Sequence, residues 1–223
     1  MSNSQQVCNY LRKYKQLFAK KIYVSPKESD SVNIKNYPES NYNLNQYKSL
    51  ISNCQECQLS TTRKNFVFGC GDPNADLMLV GEAPGFDEDN EGIPFVGKAG
   101  KLLDKILHAI NLSRTRRVFI LNILKCRPPK NRDPLPSEIE KCIPYLKNQI
   151  KIIRPKLILA LGKVAGKSLT GKDISLKEMR NTNYNYNGIL LRVTYHPAAL
   201  LRNQSLKKFA WEDFKWVKNQ LIS

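Results

Sequence analysis

Apolar residues along this chain come in short dense runs, and the segments between the runs repeat at helical spacing. Four runs read as buried strands: Leu77–Val80, Val118–Leu124, Leu157–Leu161 and Ile189–Thr194. Each is four to seven residues long and rich in branched side chains, as strands covered on both faces are. Between the runs, Lys101–Ile110 places Leu102, Leu103, Ile106, Leu107 and Ile110 on one helical face. Ser137 stands where it can cap a second helix, which turns Ile139, Cys142, Ile143, Leu146, Ile150 and Ile153 inward. Gly162–Leu169 predicts a short helix and Lys207–Leu221 a closing one. The alternation predicts an α/β fold, a three-layer α/β/α sandwich around a mainly parallel four-stranded sheet.

The flanks differ. Residues 1–44 form an extension: Val7, Tyr10, Leu11, Tyr14, Leu17 and Phe18 predict a short amphipathic helix, and residues 25–43, rich in Ser, Asn, Tyr and Pro, predict a linker. Residues 45–223 form the main domain. A helical pattern from Leu44 leads into Cys54, and Arg63–Asp72 reads as a loop or hairpin.

Gly81-Glu82, Asn122, Gly162 and His196 all fall at or just past the carboxyl end of a strand, so a parallel sheet can bring them to one edge, where ligands bind in open α/β folds. The turn Val80-Gly81-Glu82-Ala83-Pro84-Gly85 is followed by Gly92-Ile93-Pro94-Phe95-Val96-Gly97. Asp87-Glu88-Asp89 between them reads as an acidic loop, either solvated or functional.

Charge narrows the partner. A net charge of +17 and a pI near 9.7 favour a polyanion, nucleic acid above all, over a merely basic surface. No stretch reaches the roughly 18 apolar residues of a membrane span, and no apolar leader opens the chain, so the expectation is a soluble, cytoplasmic protein without a membrane partner. Six cysteines in that setting read as thiols or metal ligands. Cys54 and Cys57 form a C-x2-C pair, and Cys126 and Cys142 follow with fifteen residues between them. That spacing leaves zinc and an iron–sulfur cluster both open. Cys8 and Cys70 fit no ligand spacing.

Single residues then suggest chemistry. His196 follows a strand, and Pro197 keeps its backbone extended; its imidazole can donate to an oxygen that gains charge during bond cleavage. The Asn122 amide can both accept from and donate to the edge of a pyrimidine. Phe95 offers a flat ring, and Glu82 and Glu88 can orient a water or a base. Leu200-Leu201-Arg202 pairs an apolar tip with a cation, as in proteins that wedge bases apart.

Taken together, Gly81-Glu82-Ala83-Pro84-Gly85, Gly92-x-Pro94-Phe95-Val96-Gly97-Lys98-Ala99-Gly100, Asn122-x-x-Lys125-Cys126-Arg127-Pro128-Pro129, Asn131-Arg132-Asp133-Pro134 and His196-Pro197-x-x-Leu200-Leu201-Arg202 resemble the family 4, iron–sulfur uracil-DNA glycosylases. The resemblance runs from about Leu44 to the C-terminus. It implies a monofunctional glycosylase that flips deoxyuridine out of DNA and hydrolyses its N-glycosidic bond, initiating base excision repair. It implies Glu82, Asn122 and His196 as catalytic residues. Gly81, Ala83, Glu88 and Phe95 would bind uracil, Phe95 by stacking and Glu88 near C5, where it excludes a thymine methyl. Lys98, Arg127, Arg132, Leu200, Leu201 and Arg202 would contact DNA, and Cys54, Cys57, Cys126 and Cys142 would hold a structural [4Fe–4S] cluster. The expected partner is uracil-containing DNA and the expected state a monomer. The chain departs from the family pattern at Ala198-Ala199, where Ser-Tyr or Ala-Tyr is common, and at Asn181, where glycine often follows the arginine. A related branch links covalently to uracil-DNA through a histidine in an inserted loop, and Gly97–Leu103 has neither insertion nor histidine. Two rivals remain: a cluster-bearing DNA-binding module without turnover, which would need none of Glu82, Asn122 and His196, and a glycosylase for another deaminated base.

Overall fold

A computed structural model describes residues 42–222. The expected amphipathic helix and linker of the extension lie outside the described residues, save for its last three positions. The sheet is built from β1 (Cys70–Gly71), β2 (Leu77–Gly81), β3 (Val118–Asn122), β4 (Leu157–Leu161), β5 (Tyr184–Tyr186) and β6 (Ile189–Thr194), in the order β1-β3-β2-β4-β6-β5. The four expected strands are the parallel core, with β2 in the middle pairing Leu79 to Ile120 of β3 and to Leu159 of β4. The correction is at the edges. β1 and β5 add short antiparallel strands to β3 and β6, making six among the described residues. Neither edge has the length or apolarity to announce itself: β1 is two residues and β5 is Tyr-Asn-Tyr.

All five residues of β2, β3 and β4 are buried, so both faces of the sheet are covered. On one face Leu77, Leu79, Leu157 and Leu159 join α4 (Lys98–Ala109) and α9 (Lys207–Ile222) in a core that includes Leu103, Leu107, Phe214 and Val217. Alternation turns Met78, Val80, Ile158 and Ala160 to the other face. The remaining helices are α1 (Leu44–Ile51), α2 (Leu59–Thr62), α3 (Phe86–Glu91), α5 (Pro136–Ile153), α6 (Lys163–Thr170), α7 (Leu176–Arg180) and α8 (Pro197–Arg202). Fully buried leucines such as Leu103 and Leu107 each contribute about 1.5–3 kcal/mol by leaving water.

Two expectations about ends change. Ser137 does not cap α5; Leu135 occupies that position, Pro136 begins the helix, and the Glu138 carboxylate accepts from the Leu135 N–H at 2.8 Å. The acidic segment Asp87-Glu88-Asp89 is not a solvated loop but lies within α3. Negative side chains near a helix N-terminus are favoured by its dipole, and Asp89 is buried, accepting from the Lys64 and Asn65 backbone N–H groups at 2.9 and 3.3 Å.

The order of connections places the site. From β2 the chain crosses to β3 on one side, and from β4 it crosses to β6 on the other, so neighbouring β2 and β4 form the switch point of the sheet. At such a point the loops leave in opposite directions and open a crevice beyond the carboxyl ends.

Candidate active site and cysteine cluster

That crevice is a cavity of about 540 Å³. Its walls come from the ends of β2 (Glu82, Ala83), β3 (Asn122), β4 (Gly162, Lys163) and β6 (His196), with Glu88 from α3 and Phe95 from the loop after it. Gly81 stands behind this wall. A Cβ there would sit 2.6 Å from Phe95 Cζ and also collide with Asn122 Oδ1, so the close approach of ring and amide demands glycine.

Phe95 is buried, yet its backbone is left-handed at φ 56°, a strained state for an aromatic residue. Two features hold it. Arg114 donates to the Pro94 and Phe95 carbonyls at 3.1 and 2.8 Å while paired with Asp104 at 2.8 Å. Gly100 of α4 packs so tightly on the Phe95 carbonyl that any Cβ would overlap it. The Phe95 and His196 rings lie 5.4 Å apart.

Asn122 is buried, and among the described residues its Oδ1 has no hydrogen-bond partner, which is uncommon for a buried acceptor and leaves it able to accept from a ligand. Its backbone is fastened from below: Lys125, fully buried, donates from Nζ to the Asn122 carbonyl at 2.8 Å. Burial draws the Lys125 ammonium down to about 8.

His196 caps α8. Its Nδ1 accepts the Ala198 N–H at 3.1 Å, so in the neutral ring the hydrogen resides on Nε2. Burial, with the Arg202 charge second, draws its pKa down to about 4, against a smaller pull from Glu88. A neutral imidazole with a fixed Nε2–H results. Glu82, half-buried, is shifted upward by burial and by the nearby negative charge of Asp133. Glu88 is spoken for: its carboxylate accepts from Gly85 N–H at 3.0 Å, Val96 N–H at 3.0 Å and Gly97 N–H at 3.2 Å. It therefore ties the two glycine-rich turns together while contributing to the wall.

The expected DNA contacts divide. Lys98, Arg202 and Leu201 are exposed, and Arg202 and Arg132 line the cavity mouth. Leu200 is corrected: it is 1% exposed and packs inward from α8, because a helix turns each residue about 100° from the one before, and only Leu201 offers a tip. Arg132 forks onto the buried Glu138 at 2.9 and 2.6 Å, and Arg127 donates to Asn131 at 2.7 Å, so both hold their loop as well as charging it. Lys125 and Asp133 stand in the quoted motifs but receive no role from the sequence, and Arg114 and Lys163 are not singled out by it. Of the last two, only Lys163, next to Gly162 at a strand end, carried a signal that could have found it.

The four spaced cysteines gather beside this loop. Cys54 and Cys57 lie between α1 and α2, Cys126 follows β3, and Cys142 faces in from α5. Each is close enough to others for their charges to oppose ionisation: Cys54 acts on Cys57, Cys126 and Cys142, and Cys57 on Cys126. Burial is the larger effect and pushes the Cys142 thiol up to about 12. Donors nonetheless point at the sulfurs, from Tyr145 Oη to Cys54 at 3.1 Å, Arg63 Nη1 to Cys126 at 3.1 Å and the Lys125 N–H to Cys142 at 3.3 Å. Such donors are the usual outer shell of thiolate ligands. Among the described residues, no three His, Cys, Asp or Glu side chains close around the point a single ion would need. Cys70 stands apart, 3.8 Å from Arg114.

The model of the uracil DNA glycosylase superfamily matches residues 68–216. A type-4 uracil-DNA glycosylase of Saccharolobus solfataricus is 46% identical over 190 residues, covering 81% of this chain and 88% of that one. The chain belongs to the type-4 uracil-DNA glycosylase family. Its relative from Sulfurisphaera tokodaii is 44% identical over 188 residues, with 81% and 86% covered, and that from Thermotoga maritima 39% over 173 residues, with 76% and 90%. The motifs that carry the family resemblance are thus the ones lining the crevice of this type-4 fold. Among the described residues no helix is long and apolar enough to cross a membrane.

Proposed function

We propose that this type-4 family member hydrolyses the N-glycosidic bond of deoxyuridine in DNA, with Glu82, Asn122 and His196 as its catalytic residues. The observation that carries the assignment is the orphaned Asn122 Oδ1, buried at the end of β3 in a cavity shared with the Nε2–H tautomer of His196. A flipped uracil stacks on Phe95 and gives its N3–H to that oxygen. Its O2 takes a hydrogen bond from His196 Nε2. As the C1′–N1 bond breaks, the electron pair stays on N1, and the ring carries it as an anion spread onto O2. A neutral donor aimed there before the bond breaks stabilises the charge without reorganising. Water adds to C1′ and gives up its proton, with the Glu82 carboxylate as acceptor and orienting group. The products are free uracil and an abasic site.

Glu88, with Val96 and Gly97 fixed to it, shapes the wall beside C5, where a thymine methyl would have to fit. Lys98, Arg127, Arg132, Leu201 and Arg202 meet the DNA around the mouth. Cys54, Cys57, Cys126 and Cys142 hold a [4Fe–4S] cluster. The donor set fits it: four thiols, three of them with N–H or O–H donors aimed at sulfur. When bound, the cluster supplies a structural cross-link rather than redox chemistry. The chain acts as a monomer in the cytoplasm.

The deciding experiment is single-turnover excision on oligonucleotides bearing one uracil, thymine or hypoxanthine, followed by alkali. Asn122→Ala or His196→Ala should slow uracil release by about 100-fold or more, in line with removal of one pre-aimed donor. Wild-type rates in both variants would sink the residue assignment. Preferential cleavage at hypoxanthine would move the substrate to another deaminated base.

A further inference from the structure

Directly after the glycine turn that lines the cavity, α3 opens with an aromatic residue that has no place in the core. Phe86 leaves 54% of its surface exposed. The helix does not need it: α3 is anchored through Asp89, Glu88 and the bonds from Asn65 to the Asp89 and Asn90 carbonyls. Two cations lie against the ring. The Arg127 guanidinium sits 5.0 Å from its centroid and Lys64 Nζ 5.7 Å. Each is held in place by an amide, Arg127 by Asn131 Oδ1 at 2.7 Å and Lys64 by Asn90 Oδ1 at 2.7 Å. Asn131 itself lines the cavity, so the patch continues the rim of the uracil site.

An exposed ring flanked by fixed cations is the unit from which single-stranded nucleic acid grooves are made. The ring stacks on a base face of any sequence, and the cations take the phosphates on either side. We propose that Phe86, with Lys64 and Arg127, is a second nucleotide-binding site, which stacks an unpaired base neighbouring the flipped uracil in single-stranded DNA. The inference rests on the uracil-DNA glycosylase function. It commits to a single strand because a paired base keeps its faces stacked on its own neighbours and offers none to a ring outside the duplex.

The test is equilibrium binding, by fluorescence anisotropy, to a single strand carrying one non-hydrolysable 2′-fluoro-2′-deoxyuridine. The readout thus does not depend on which residues perform the chemistry. A second strand has abasic spacers flanking the uracil, which keep the phosphates and remove the bases. Phe86→Ala should weaken binding to the first strand by roughly tenfold, the scale of one lost stacking contact. It should have no effect on the spacer strand, and Phe86→Trp should bind the first strand as well as the wild type does. An equal loss on both strands, an equal loss on the matching duplex, or no loss on any of them would overturn the proposal. Because Phe86 is not in the core, the melting temperature of Phe86→Ala should match that of the wild type, so weakened binding cannot be a folding defect.

Discussion

At the scale of the residue, environment sets the protonation of each group before substrate arrives. His196 is drawn down to about 4 by burial and by Arg202, so it is already neutral at pH 6, where an unperturbed histidine would be largely charged. The sign for stability follows. The unfolded chain takes up a proton near 6.5 and the folded one only near 4, so His196 costs the folded state stability as pH falls through that window. For catalysis the expectation is a rate without an inflection near pH 6.5, checked by single-turnover profiles and by nitrogen chemical shifts that report the Nε2–H tautomer. A cationic His196 at pH 6 would refute it. Glu82 is raised by burial and by Asp133, and as the proposed proton acceptor it must be ionised, so it should govern the acid limb of the rate. Removing the neighbouring charge with Asp133→Asn should move that limb to lower pH. A limb that stays put would mean Asp133 does not act on Glu82.

Phe95 poses a different residue-scale question, because its left-handed backbone is held by Arg114 and by the missing side chain of Gly100. Gly100→Ala puts a methyl into the Phe95 carbonyl, and the loop must move for it to fit. The ring should then leave the uracil plane, with excision falling by about 100-fold, as a misplacement of about 1 Å can cause. Arg114→Lys keeps the charge but loses the fork that reaches both carbonyls, and a smaller loss is expected. Normal kinetics in Gly100→Ala would show that the ring's position is immaterial.

Elements carry these residues because strand ends and loop anchors do different work. Asp213 of α9 is fully buried and joins three elements: it accepts from Arg180 of α7 at 2.8 Å and from Thr194 at the end of β6 at 2.6 Å, with Arg192 paired at 3.2 Å. Arg180 also lies over the ring of Tyr195, the residue before His196. Asp213→Ala leaves the buried Arg180 and the partly buried Arg192 without their partner and should cost about 3–5 kcal/mol in urea unfolding. A loss under 1 kcal/mol would mean that water reaches the site. None of this network was legible in the sequence, where Asp213 is one carboxylate in a polar-apolar helical pattern. The parallel strands were legible, since burial on both faces leaves unbroken apolar runs, and so was the convergence of Glu82, Asn122 and His196, which follows from strand polarity alone. The acidic segment 87–89 misled because composition alone cannot show that Asp89 answers backbone donors twenty-five residues away. Leu200 misled because a pair of leucines does not say which one the helix turns inward. Arg114 and Lys125 act on carbonyl oxygens, and a carbonyl leaves no trace in the pattern of side chains.

For the whole molecule, the two sites are joined mechanically by the stretch from Asn122 to Cys142. Lys125 grips the Asn122 carbonyl with its side chain and Cys142 with its N–H, and Cys126 follows it directly. The loop between, carrying Arg127 and Arg132, runs along the cavity mouth toward Glu138 at the start of α5. In the proposed cluster, holding four thiolates from a loop, a strand end and a helix on one group closes long loops of chain, and a closure of that kind is worth about 2–4 kcal/mol even for a single disulfide. At roughly 2–4 °C per kcal/mol for a protein of this size, removing iron should lower the melting temperature by about 4 °C or more. It should also flatten the salt dependence of DNA binding. The intact loop presents ordered cations, each phosphate neutralised adding about −0.9 to the log–log slope, and a released loop presents fewer. Iron removal by oxidation and chelation, followed by melting and by binding at several salt concentrations, reads both effects on one preparation. A lower melting temperature with an unchanged slope would confine the cluster to stability. A flat slope in the iron-loaded protein would mean that the net charge of +17 is not organised around DNA at all.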